Sequence, residues 1–245
     1  MKKKLLVVAA SALVATSAYA QSAFEGFYGQ IATGYESNSA SNLGNTGTSP
    51  GNPNDNWNVS NQQFGGAPLV IGLGYNFSVA PQWLIGIGAD YSALSQKSST
   101  FSSTGEGNTL SGQTLEASNR FNIFVTPGYA IDKDKLVYLK AGYSSLTLKN
   151  SAPNYYSPSA ANIASGDSAG PILNAGSQTS TVGGYVVGLG YKQIITGGIY
   201  GFAEGNYMSY SKPSFSSNLG SNGYKISSNP SVNSYQLLVG IGYKF

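Results

Sequence analysis

The chain has 245 residues, 9% of them charged and 12% aromatic, with 32 glycines, no histidine and no cysteine. Soluble domains carry about 25% charged residues, so this surface is not built to meet water throughout; the formal charge of +3 disappears once Lys2, Lys3 and Lys4 are set aside, which leaves no basic footprint for nucleic acid. Without imidazole or thiol, the usual general base, metal ligand and sulfur nucleophile are missing, and a disulfide framework is excluded.

Lys2 to Lys4 form a basic start, Leu5 to Val14 an apolar run, and Ala18-Tyr19-Ala20 a small-x-small site before Gln21. This is the layout of a cleaved secretory signal. A spanning helix needs ~20 apolar residues, and Ser11, Thr16 and Ser17 interrupt the run first. The expected organisation is a signal over 1–20 and one domain over 21–245, with Ala18, Ala20 and Gln21 as the cleavage residues. Beyond the signal no apolar run reaches the ~18 residues of a helical span, so only a closed barrel remains as a membrane-crossing structure.

In chain order, Phe24 to Glu36 predicts a first strand with Phe27, Ile31 and Tyr35 on one face. Ser37 to Gln63 is rich in Asn, Ser, Gly and Pro and reads as an exposed loop carrying Trp57. Phe64 to Phe77 alternates again, with Leu69, Ile71, Leu73, Tyr75 and Phe77 outward, and Ser78 to Pro81 makes a short turn. Gln82 to Ser95 returns with Trp83, Ile85, Ile87, Ala89 and Tyr91 outward and Asp90 inward. After a polar tract over 96–116, Ala117 to Ile131 sends Phe121, Ile123, Val125 and Tyr129 one way and Arg120, Asn122 and Phe124 the other; Pro127 inside it suggests a bulge. Asp132 to Lys135 turns, and Leu136 to Lys149 sets Val137, Leu139 and Tyr143 against Tyr138, Lys140 and Gly142. The tract over 150–179 precedes a strand from Ser180 to Ile195, with Tyr185, Val187, Leu189 and Tyr191 outward. Thr196 to Gly198 turns, and Ile199 to Lys212 has the weakest apolar face, with Glu204 and Asn206 opposite Ala203, Gly205 and Tyr207. The tract over 213–231 leads to Val232 to Phe245, where Tyr235, Leu237, Val239, Ile241, Tyr243 and Phe245 share one face.

The fold expected is all-β: an eight-stranded antiparallel up-and-down transmembrane β-barrel, with short turns and long polar loops alternating. Ten strands stay open if part of Asn54 to Ser60 or Asn150 to Tyr156 extends the sheet. Tyr35, Tyr91, Tyr143 and Tyr207 fall toward the long loops, and Tyr75, Tyr129, Tyr191 and Tyr243 toward the short turns. These are the two aromatic girdles of such a barrel. Paired aromatics about eight residues apart, such as Trp83 and Tyr91, span ~20 Å at a tilt near 40°, close to the height of the apolar band.

On the signal, the strand and loop alternation, the A-E-G-N-Y segment Ala203 to Tyr207 and the terminal V-G-I-G-Y-K-F, the chain resembles the small outer-membrane barrels of the opacity-protein, OmpA-transmembrane and OmpX type. The resemblance implies an outer-membrane location among outer-membrane lipids. It also implies that Tyr243 and the terminal Phe245 are an insertion signal read by the barrel-insertion machinery.

The G-x-G elements (Gly72 and Gly74, Gly86 and Gly88, Gly188 and Gly190, Gly240 and Gly242) lie within strands and complete no nucleotide loop; on the inward face they make room in a narrow barrel. Asp90, Arg120, Lys140 and Glu204 point into the lumen as one charge cluster, either an ion-pair plug or a polar track for small solutes. Trp57, Phe101, Tyr155, Tyr156 and Phe215 either pack the loops on one another or meet a ligand. The expected protein is a monomer without cofactor or metal. It is not an enzyme, and it acts through the loops over 37–63, 96–116, 150–179 and 213–231 on an extracellular partner. The alternative is a narrow porin-like channel for small or amphipathic solutes. The mature chain is expected to begin at Gln21, which intact-mass measurement on purified membranes checks; a folded species retaining residues 1–20 is the contrary result.

Overall fold

A strand whose large apolar side chains alternate with small or polar ones has two unlike faces, and it can bury backbone polar groups only by pairing along both edges. The computed structural model, which describes residues 22–50, 54–172, 176–219 and 224–245, shows how the chain meets both demands. Its wall strands are β1 (Gly26–Ser41), β2 (Val70–Ala80), β3 (Trp83–Ser92), β4 (Asn108–Asp132), β5 (Lys135–Ser151), β6 (Ser177–Thr196), β7 (Ile199–Tyr210) and β8 (Ser231–Lys244). Each pairs antiparallel with the next. β8 then pairs with β1 from Tyr28↔Lys244 to Ser41↔Ser231 and closes an 8-strand ring. Of the stretches left open as extra wall, Asn54 to Ser60 forms Asp55–Val59 outside this ring, and Asn150 to Tyr156 gives Asn150 and Ser151 to the end of β5 while Tyr155–Ser157 pairs outside it.

Within the central band the outward positions are large, apolar and bare: Leu73 is 67% exposed, Leu189 61% and Leu237 69%. Water does not tolerate so continuous an apolar belt, so the medium around it is lipid. The inward positions alternate bulk with glycine. Tyr138, Tyr200 and Phe202 each lie across the lumen side of a neighbouring strand, and a Cβ at Gly190, Gly242 or Gly240 would strike their rings. Of the G-x-G glycines, Gly74, Gly88, Gly190, Gly240 and Gly242 are therefore sockets for inward aromatics, whereas Gly72, Gly86 and Gly188 receive the polar side chains of Gln30, Thr126 with Asn76, and Asn206. β7, whose facing was the least legible, turns Phe202 and Met208 fully inward with Glu204 and Asn206.

Above the band the strands run further than expected, because the pattern inverts. There the outward face meets water, so it carries Ser39, Glu116, Thr147 and Thr181. The inward face instead holds the apolar cluster that includes Ala40, Leu115, Leu146, Leu148, Val182, Met208 and Val232. The ends of the tracts over 37–63, 96–116 and 150–179 are thus wall, not loop: 37–41, 62–63, 96–97, 114–116, 150–151 and 177–179 pair with the wall strands. Two local expectations also shift. The bulge falls where Asn119 adopts φ 50 and the β4–β5 register slips, whereas Pro127 stays in register with Ile85. The β2–β3 turn is Pro81–Gln82, shorter than the four residues expected.

The remaining loop segments do not hang free. Phe215–Leu219, Tyr224–Ser228, Asn45–Thr48, Asp55–Val59, Phe101–Gly105, the start of β4, Tyr155–Ser157 and Gly170–Pro171 pair in that order into a second sheet, a crown above the wall. Its tightest turn, Glu106-Gly107, has φ of 51° and 74°, the left-handed pair that joins two strands without splaying them. A single helical turn, α1 (Ala160–Ala164), caps on Ser159 and buries none of its residues.

Gly190→Val is expected to destabilise the barrel by about 1–3 kcal/mol through overpacking against Tyr138, whereas Gly170→Val, with nothing within 4 Å of the added carbon, is expected to be silent. Urea unfolding of the refolded barrel measures both, and equal midpoints would refute the socket.

Candidate functional site

The inward row of each wall strand stacks the lumen into layers. At the end of the short turns, Phe24, Leu84, Leu136 and Tyr138 form one apolar cluster, and Tyr28, Ala32, Val70, Tyr200, Phe202 and Leu238 another. Above them lies a charged belt. Lys140 Nζ donates to Asp90 Oδ2 at 2.7 Å and to Glu204 Oε1 at 2.9 Å. Tyr138 Oη donates to Glu204 Oε2 at 2.7 Å, while the Asn206 and Asn122 amides donate to Glu204 and Asp90 at 2.7 and 2.5 Å. The ammonium also sits 4.1 Å from the Phe124 ring centre.

A second belt lies nearer the crown. Arg120 forms an ion pair with Glu36 and donates to Asn38 Oδ1 at 2.8 Å, Ser234 Oγ at 3.0 Å and Tyr210 Oη at 3.0 Å. Glu36 in turn accepts from Asn38 at 2.9 Å and from Gln236 at 2.7 Å. The expected cluster of Asp90, Arg120, Lys140 and Glu204 is therefore corrected: three of the four meet, and Arg120 belongs to a separate network whose acid is Glu36. The apolar cluster with Phe64, Leu115, Leu146 and Phe215 closes over this belt, and the crown's own small core of Trp57, Leu110 and Ile226 lies beyond.

Glu36 and Lys192 are the two lumenal charges that sequence reasoning missed. The signal was present, since each follows an outward tyrosine, Tyr35 or Tyr191, and alternation turns the next residue inward. With them, the buried charges of the lumen among the described residues are three acids and three bases. Asp90, Glu204 and Lys140 alone carry one net negative charge, and Lys192 offsets it from a distance. Among the described residues no carboxylate lies within 4.0 Å of Lys192; its ammonium faces the rings of Tyr28, Tyr200 and Tyr138 at 4.0, 4.9 and 5.3 Å. Among those residues no group of three acids, histidines or cysteines is arranged to hold a metal ion.

In the crown, Trp57 Nε1 donates to Tyr224 Oη at 2.7 Å, and that hydroxyl donates to Asp55 Oδ2 at 3.0 Å. Burial, with the Asp55 carboxylate beside it, pushes the Tyr224 phenol up to about 12, so the donor persists at any physiological pH. Trp57 and Phe215, read as members of exposed loops, are buried; Phe101 packs against the upper cluster, Tyr156 against the crown core, and Tyr155 stays exposed.

On the outer wall the girdle tyrosines turn their hydroxyls toward polar neighbours. Tyr91 bonds Asn119 at 2.9 Å and Tyr207 bonds Asn233 at 3.2 Å on the crown side; Tyr129 bonds Gln82 at 3.0 Å and Tyr191 bonds Gln193 at 2.6 Å at the other end. Tyr35 and Tyr143 are exposed in the same outward rows, and Tyr75 packs edge-on with Phe27 at 4.6 Å. The Phe245 amide donates to Phe27 O at 2.9 Å, and its ring stands 5.1 Å from that of Tyr243, which ties the chain end to β1. Ala18, Ala20 and Gln21 lie outside the described residues.

Residues 6–245 match the family described as outer membrane protein beta-barrel domain. The solved structure of the outer membrane protein OprG from Pseudomonas aeruginosa is similar, with a TM-score of 0.52 at 14% identity, covering 90% of this chain and 96% of that one. The outer membrane protease OmpT from Escherichia coli gives 0.49 at 13% identity, covering 94% and 100%. Ail, the attachment invasion locus protein of Yersinia pestis, gives 0.39 at 15% identity, covering 90% and 99%. At these identities the likeness reaches the fold alone. No curated protein matches the sequence.

Because the two belts are separate, Glu204→Gln is expected to strip Lys140 of one partner and leave the Arg120 network intact, and Glu36→Gln to do the reverse. Each breaks a buried pair, for a loss of about 3–5 kcal/mol. Their effects in the double variant are expected to add within about 0.5 kcal/mol. Unfolding of the two single variants and the double variant measures this, and strong coupling would mean one joined network.

Proposed function

We propose that this chain, which belongs to the outer membrane protein β-barrel family, is an envelope-structural and surface-interaction protein with a lumen closed to steady ion flow. The observation that carries the reading is the crown. Segments from all four long loops pair into one sheet over a shared core of Trp57, Leu110 and Ile226, which supports a stiff platform for an extracellular partner. The lumen below supports the same reading, since two charged belts and three apolar clusters fill it. Outer-membrane lipids surround a monomeric wall, the insertion machinery reads Tyr243 and Phe245, and no cofactor or nucleic acid takes part. The protein is not an enzyme, for it has neither the histidine nor the cysteine on which general-base and thiol chemistry depend.

A narrow channel for small or amphipathic solutes is the second reading. It draws on Asn122 Oδ1 and Asn206 Oδ1, buried in the lumen without a hydrogen-bond partner, which would suit a polar track. Planar-bilayer recording separates the two. The wild type is expected to show little steady conductance, and Glu204→Gln intermittent opening. Removing residues 42–61 is expected to leave conductance nearly unchanged while abolishing partner binding. A large steady wild-type conductance, unaltered by Glu204→Gln, would replace the interaction protein by the channel.

A further inference from the structure

Lys192 is the least economical residue in the lumen. It is 5% exposed and lies in the membrane-crossing part of β6, yet among the described residues no carboxylate lies within 4.0 Å of it, and desolvating an ammonium costs several kcal/mol. Its compensation is aromatic. Three tyrosines from β1, β5 and β7 turn their rings to the ammonium, at 4.0 Å for Tyr28, 5.3 Å for Tyr138 and 4.9 Å for Tyr200. Ring faces attract cations, and a desolvated contact of this kind stabilises by about 2 kcal/mol. An apolar side chain of similar volume would fill the same space with less penalty. Lys192 offsets the belt's net negative charge only from a distance and without a direct pair, so stability alone does not account for a lysine held against ring faces, and an ionisable group inside a membrane segment calls for a function.

The placement supplies one. The three rings lie on the short-turn side of the charged belt, so a solute entering from the periplasmic end reaches the cage before Asp90, Lys140 and Glu204. Left empty, a cage of three tyrosines beneath a belt of one net negative charge would collect small cations. Lys192 occupies it with a tethered cation and reverses the sign of the field there. We propose that Lys192, held by Tyr28, Tyr138 and Tyr200, is a charge-selective constriction at the periplasmic end of the lumen, one that turns back small cations and admits small anions. The inference goes beyond the closed-lumen reading, because it concerns what enters the lower lumen and not what crosses the whole barrel.

The chain has no cysteine, so a single introduced thiol reports access without background. Ala32 is buried in the cluster of Tyr28 and Tyr200, four residues further along β1 from the cage, and Ala32→Cys places the thiol there. The measurement is the ratio of labelling rates, in detergent micelles, for an anionic sulfonatoethyl and a cationic trimethylammonioethyl methanethiosulfonate. In the Lys192 parent the anionic reagent is expected to react about tenfold faster, as one unit charge at close range dictates. Lys192→Met is expected to invert the ratio, since it vacates the aromatic cage under a net negative belt. Lys192→Arg, which keeps a cation against the rings, is expected to preserve it. Gel mobility of unheated samples selects the folded fraction of each variant.

A ratio unchanged in Lys192→Met overturns the proposal, as does inversion in Lys192→Arg. Failure of both reagents to label any of the three proteins also overturns it, since a sealed end needs no charge barrier. The closed-lumen reading fails on a different result, a steady wild-type conductance, so the two are separable.

Discussion

Closure of β8 on β1 is the contact on which the rest of the structure depends. In hydrocarbon an unpaired backbone N–H or C=O has no water to turn to, and a sheet with an open edge would leave a whole row of them unsatisfied. The long antiparallel register from Tyr28↔Lys244 to Ser41↔Ser231 removes that edge, and the bond from the Phe245 amide to Phe27 O extends the seam to the last residue. Once the ring is shut at this size its interior is only just wide enough for side chains. Every inward position then becomes a packing decision, and the glycine sockets beneath Tyr138, Tyr200 and Phe202 answer it.

A filled lumen with six charges needs each of them neutralised, and the barrel does this at two levels in two ways. Arg120 and Glu36 form a nearly self-contained pair in a shell of amides and hydroxyls. The lower belt divides one ammonium between two carboxylates, and its excess negative charge is met by Lys192 at a distance and by ring faces. The two levels differ in kind: every charge of the upper is held by direct hydrogen bonds, whereas the lower adds Lys192, which faces three tyrosine rings and pairs with no carboxylate among the described residues.

The same change of medium that requires the girdles also builds the crown. Where the wall leaves the bilayer, its outer face meets water and its inner face becomes an ordinary core, so the hydrophobic side of each strand switches from out to in. Leu115, Leu146, Leu148 and Val182 belong to that second regime. The strands carry on through the transition, and the loops above them inherit a ready edge on which to pair. The Trp57, Tyr224 and Asp55 chain then ties residues from the first and last of the long loops together.

What the sequence by itself determined is whatever depends on a repeat of two. Alternation over 64–77, 82–95 and 232–245 reveals the strands and their lipid face, the tyrosine spacing reveals the height of the apolar band, and the absence of a helical span leaves the barrel as the only crossing structure. Asp90, Lys140 and Glu204 were legible as lumenal by the same rule. Only the tertiary structure decided which charges meet, because partners such as Arg120 and Glu36 come from different strands and touch across the lumen, at a height set by strand tilt and stagger. It alone decided that Trp57 is buried and that Ser37 to Ser41 is wall, since a polar, Asn- and Ser-rich run looks the same in a free loop as in a strand whose outer face meets water. Period and composition are local properties of the chain; which side of a strand faces lipid, water or core is a property of the closed ring.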